Sequence, residues 1–158
     1  MEMKIMLAAA LFFAGFLWVY LIIRQLLFNL AVAYPTLNKM KALKEDLIVI
    51  GAWRYTHISM AVCILFSAVV LFVIFRFCPT YMLISFGVGS LICFLFLVTK
   101  IKPENKAMFD SFCNAYCRFV PDDELRTLMF EKEYKKIDRR LRELGCSASF
   151  VPEFKKES

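Results

Sequence analysis

One histidine, His57, occurs in the 158 residues, and glycine and proline occur only five times each. A metalloprotease of the His-pair type needs two imidazoles on one helix face, so that chemistry is excluded. Nor is there a glycine-rich phosphate-cradling loop, which removes the common nucleotide-dependent enzymes. General acid–base work needs titratable groups held together. The candidates are His57, Glu45 with Asp46, and Asp110 with Cys113, and none has the spacing of a known chemistry. The chain is therefore read as non-enzymatic, with no cofactor and no metal expected.

Cysteine is present but not in a pattern that carries chemistry. Cys63 and Cys93 fall inside apolar runs, where a thiol behaves as a small hydrophobe. Cys113 and Cys117 are four apart and share one face of a helix. There is no Cys-x-x-Cys and no histidine beside them, so packing is favoured over a metal or redox role. A disulfide scaffold would need regular spacing in a polar chain, and this chain is 60% hydrophobic.

Charge is absent from three long stretches. Ile5 to Ile23, His57 to Phe75 and Tyr81 to Val98 contain no Asp, Glu, Lys or Arg. About twenty residues of helix cross a ~30 Å hydrocarbon core, so each run suffices for a span. A signal peptide competes for the first run, but no small-x-small cleavage site closes it before Arg24. Past Arg24 the apolar pattern resumes, until Tyr34-Pro35 is expected to stop the helix. The second and third runs are joined only by residues 76–80, which forces an antiparallel hairpin with Pro79 as its breaker. Aromatic residues such as Trp18, Trp53 and Tyr81 mark the ends, as headgroup layers favour.

Basic residues give an orientation. Arg24, Lys39, Lys41, Lys44 and Arg54 lie between the first two runs, and Lys100, Lys102 and Lys106 follow the third. Such residues stay cytoplasmic near span ends. The expectation is an N-terminus outside and a C-terminus in the cytoplasm, in a cell (inner) membrane. The uncharged spans argue against a pump or coupled transporter. Small residues recur at helix-packing spacing: Ser59, Cys63 and Ser67 on the second span, Ser85 and Gly89 on the third, Ala10 and Ala14 on the first. These seams are read as holding one chain's helices together, with contact between copies as the competing reading.

The fold class expected is thus an all-α integral membrane protein, with a transmembrane domain at 1–100 and a cytoplasmic helical region at 101–158. The loop at 24–56 includes a short helix with Leu43, Leu47, Ile48 and Ile50 as its apolar face. Residues 104–120 read as an amphipathic helix whose aromatic face, Phe109, Phe112, Tyr116 and Phe119, needs cover. It is assigned as a partner-docking face. Pro121-Asp122-Asp123-Glu124 supplies a capping carboxylate for a second helix, 122–144, which Gly145 ends, with i, i+4 pairs Glu131–Lys135 and Asp138–Arg142. The tail 146–158 is expected to be flexible.

Lys135, Lys136, Arg139 and Arg140 form a basic cluster, yet from Lys100 onward thirteen basic residues face eleven acidic ones. Most of that surface is read as solvated. Contact with anionic lipid is assigned to Lys39, Lys41, Lys44, Arg54, Lys135, Lys136, Arg139 and Arg140, and nucleic acid is not expected. The leading function is a membrane subunit, scaffold or interaction partner acting through its cytoplasmic helices. Its partners would be the lipid bilayer and either another membrane protein or further copies of the chain. A homo-oligomeric pore or membrane-disrupting effector is the alternative, and a membrane enzyme ranks last.

Overall fold

A computed structural model describes residues 2–40, 47–146 and 149–154. Every regular element among them is helical. Helix α1 runs from Glu2 to Met40, α2 from Leu47 to Phe77 and α3 from Thr80 to Lys100. Helix α4 follows at Lys106–Tyr116, α5 at Asp123–Glu131 and α6 at Tyr134–Glu143. Three of these, α1, α2 and α3, are long and apolar enough to cross a membrane. The chain divides into two compact units, Met1–Leu27 with Ser59–Lys100, and Phe28–Ile58 with Ile101–Ser158.

Helix α1 departs from expectation at Tyr34-Pro35, which does not stop it. Proline lacks an N–H and its ring clashes with the carbonyl four residues back. Here a π-helical turn at Asn29–Ala33 precedes it, with the Tyr34 N–H bonded to the Asn29 carbonyl. The extra residue widens the ladder where the ring must fit. The Thr36 hydroxyl donates back to the Val32 carbonyl at 2.6 Å, further satisfying the loosened turn. A second π turn lies at Val19–Ile23, just ahead of Arg24. At 39 residues, α1 has nearly twice the roughly twenty residues that a helix needs to cross a ~30 Å hydrocarbon core.

Within the first unit, α1 and α3 pack tightly. Met82, Phe86, Gly89, Cys93 and Leu97 form a buried stripe on α3 at three- and four-residue steps. The helices meet at two glycines. A Cβ on Gly15 would lie 2.3 Å from the Phe86 carbonyl oxygen, and one on Gly89 would lie 2.1 Å from that of Phe12. Only hydrogen atoms fit at those points, which lets the backbones touch and gather dispersion contacts that lipid does not supply better. Trp18 packs on Phe86 with ring centroids 5.5 Å apart. On the outside, large side chains such as Phe13, Leu65, Phe72 and Leu95 are exposed. An exposed apolar surface of this extent is more than a water-solvated body ordinarily shows.

Within the second unit one expected helix is refined and another is corrected. The helix placed at 104–120 is α4 followed by a 3₁₀ turn at Cys117–Phe119, and Asn105 caps its start by accepting from the Ala107 N–H at 3.0 Å. The helix placed at 122–144 is two helices. Lys132 takes a left-handed conformation at φ 61°, and the Glu133 N–H turns back to the Leu128 carbonyl at 3.1 Å. That bond closes α5 as a Schellman motif, with lysine where glycine is usual. The expected Glu131–Lys135 pair is absent among the described residues, because no single helix joins the two. Gly145 does end α6: at φ 95° it supports the bonds Cys146 to Leu141 and Gly145 to Arg142.

Candidate functional site

The aromatic face of α4 is the centre of the second unit. Phe109 and Phe112 are fully buried and Tyr116 is 2% exposed. Phe112 stacks on Tyr116 at 4.6 Å, and Phe150 meets Phe109 at 5.7 Å. Tyr134 and Phe154 add further rings around Phe109. The docking face expected at Phe109, Phe112 and Tyr116 is therefore this chain's own core. Phe119 is only partly covered, lying on Tyr55 at 5.5 Å with the Arg118 guanidinium over both rings. The segment expected to be a flexible tail supplies much of the cover: Cys146 and Phe150 are buried. Residues 147, 148 and 155–158 lie outside the described residues.

Polar groups in this core are paired. The Thr56 hydroxyl donates to the Ala52 carbonyl at 2.9 Å, so at 2.7 Å it accepts from the Tyr116 phenol. Burial, chiefly, pushes the Tyr116 phenol above its ordinary range. Tyr134 donates to the Asp110 carboxylate, and Lys132 approaches the same group at 3.9 Å. Burial first, and that carboxylate second, raise the Tyr134 phenol strongly. Burial also pushes the Cys113 thiol up to about 12, which leaves it inert as a nucleophile. Elsewhere in the unit Tyr34, Trp53 and His57 form an aromatic cluster, with the Tyr34 hydroxyl 2.8 Å from His57 Nδ1.

One residue of the basic cluster is structural. Arg140 bonds the Asp122 carboxylate at 2.7 Å, Glu143 at 3.2 Å and Glu124 at 3.3 Å. Asp122 caps α5 at the same time, accepting from the Leu125 N–H at 2.7 Å. The Arg140 hydrogen bond first, and the Leu125 N–H second, hold the Asp122 carboxyl below its ordinary value. Arg140 thus ties α6 to the start of α5 and is withdrawn from the lipid contact assigned to it. The expected Asp138–Arg142 pair is absent among the described residues, because Asp138 instead accepts from the N–H groups of Phe150 at 2.9 Å and Val151 at 3.0 Å.

The pH dependence of the module follows from these groups. Asp122 contributes stability fully present above the ordinary aspartate value, about 3.9, and lost as pH falls through its lower folded value. The raised phenols of Tyr116 and Tyr134 contribute stability present below about pH 10 and lost as pH rises beyond it. Denaturant melts followed by circular dichroism should give a plateau near neutrality that falls on both sides. Stability rising between pH 9 and 11 would contradict the assignment of the two phenols.

The remaining expected site residues are dispersed. Lys39 and Arg54 are exposed on α1 and α2, and Lys41 and Lys44 lie outside the described residues. So do Leu43 and the side chains of Leu47, Ile48 and Ile50, with the apolar face expected of them. Lys135, Lys136 and Arg139 are exposed on α6, with Lys136 3.8 Å from Glu133. Of the packing seam, Gly89 sits at the α1–α3 contact and Cys63 is buried on α2. Ser85 bonds its own helix at the Tyr81 carbonyl, Ser59 is half-buried, and the Ser67 hydroxyl is enclosed without a hydrogen-bond partner among the described residues. The Arg140 clamp, the Thr56–Tyr116 bond and the Phe150 cover were missed by sequence reasoning. The only available signal was the pair Phe150 and Phe154, four apart in a segment too short for periodicity to register.

Among the described residues no three of His, Cys, Asp and Glu converge as a metal site would require. No protein-family model matches the chain, and comparison with curated proteins and with solved structures returns no match.

Proposed function

We propose that the chain is a multi-pass membrane protein that works as a non-enzymatic subunit or scaffold, with three spans and a cytoplasmic helical module. The observation that carries this reading is the closed aromatic core of that module, in which Phe109 and Phe112 are wholly buried. A core sealed by its own chain leaves charged and polar surface for partners, so the module docks through charge rather than through the α4 aromatics. The pore alternative needs seams between copies. The closest seam, Gly15 against Gly89, is spent within one chain, which favours the subunit reading.

Orientation rests on the lysines and arginines flanking the spans. Thiol labelling of intact cells tests it. Cys78 should react from outside, and Cys117, partly exposed, only after permeabilisation; Cys146 is buried and a poor reporter. The reverse pattern would overturn the topology. Crosslinked mass of the solubilised protein and ion flux through proteoliposomes test the function. A ring-sized homo-oligomer that conducts ions would replace the subunit reading with the pore.

A further inference from the structure

Helix α6 holds five basic residues and two acidic ones in ten positions. The sequence alone reads this as a mixed, solvated face, but the fold sorts the charges. Arg140 is taken inward by Asp122 and Glu124, and it also engages Glu143, one of the helix's two acids. The other acid, Asp138, is spent on the backbone N–H groups of Phe150 and Val151. Ile137 and Leu141 point into the core. Lys136 is exposed but lies 3.8 Å from Glu133, and what is left facing outward beside it is Lys135, Arg139 and Arg142, at i, i+4 and i+7, all exposed. Among the described residues none of the three has a carboxylate partner. With Asp138 and Glu143 they line a shallow open groove of about 440 Å³.

We infer that this face binds anionic phospholipid headgroups, which deepens the membrane reading above and rests on it. The argument for that occupant is charge complementarity combined with tethering. Two guanidinium forks and an ammonium suit phosphate oxygens, which arginine can take two at a time. Helix α3 ends at Lys100, and α6 begins at Tyr134. A chain anchored by α3 therefore keeps α6 covalently linked to a leaflet, which raises its effective concentration there. Each such cation near an anionic leaflet contributes a factor of about five in binding. Three together give roughly a hundredfold.

Full-length protein in nanodiscs provides the test, with amide hydrogen exchange of the α6 segment as the local readout. Exchange should be at least tenfold slower in discs containing phosphatidylglycerol than in discs of phosphatidylcholine alone. A variant carrying Lys135→Gln, Arg139→Gln and Arg142→Gln should lose most of that difference while α4 exchange stays unchanged, which shows that the core is intact. Equal α6 exchange in the two discs overturns the inference and leaves the membrane reading standing. So does a difference that persists in the triple variant. Inorganic phosphate or a short RNA that slows α6 exchange equally in neutral discs would overturn the lipid assignment in favour of that ligand. A chain that enters neither disc refutes the membrane reading and this inference together.

Discussion

Gly89→Ala is expected to destabilise the first unit by about 1–3 kcal/mol, the usual cost of forcing extra volume into a packed contact. The added Cβ would sit 2.1 Å from the Phe12 carbonyl oxygen and 3.0 Å from its carbon. Both are backbone atoms of α1, so no side-chain rotation relieves the clash. The helices must part, and the contacts of Phe86 and Trp18 beside the glycine part with them. Alanine favours a helix over glycine by about 1 kcal/mol, which offsets some of the loss. Gly87 supplies the control. It is on the same helix, yet a Cβ there meets nothing within 4 Å. Gly87→Ala should be neutral or slightly stabilising. Thermal unfolding of the two variants in one detergent measures the contrast. Equal melting temperatures would mean that the α1–α3 contact is looser than the glycines imply.

That contact also indicates what a sequence can announce. The three long apolar helices were legible because about twenty residues without charge have few alternatives to a membrane span. Gly89 was legible as a seam residue, since small residues four apart mark close approach. Its partner Gly15 was not singled out, because the Ala10–Ala14 spacing next to it carried the same signal. The breaks in regular structure were harder. Pro35 normally ends a helix, and the π turn that accommodates it has no residue signature. Lys132 normally continues one, and its left-handed backbone is invisible in the residue type.

The basic cluster makes the same point at the level of the site. Arg139 and Arg140 are neighbours, and a rotation of about 100° along the helix separates their fates. Arg140 clamps Asp122, while Arg139 faces outward over the groove. Composition counts them alike. Which of them is available depends on where α5 ends and α6 turns back, and that is set by Lys132, an αL residue the sequence does not flag. The face of α4 was read correctly as one apolar stripe, yet periodicity is a property of one helix and does not name its cover. The cover came partly from Phe150, in a stretch with no period at all.

Phe112→Ala decides between the two ways that stripe could be used. Phe112 is completely buried, stacked at 4.6 Å on Tyr116 and near Phe109 and Phe150. Deleting a buried phenyl ring costs about 3–5 kcal/mol through lost transfer energy and the cavity left behind. Small domains have about 5–15 kcal/mol in total, so the variant should lose a large part of its margin. Native-state hydrogen exchange should show the amides of α4, α5 and α6 opening together at least a hundredfold more often. Phe130→Ala is the matched control: that ring is 71% exposed, and its loss should change stability by no more than about 0.5 kcal/mol. A face built to receive another protein would behave oppositely, because truncating Phe112 would spare the isolated module and weaken only the complex. If Phe112→Ala and Phe130→Ala prove equally mild, the aromatic stripe is not the core of this module. The docking surface would then return to α4, and the charged face of α6 would lose its place as the side the module turns outward.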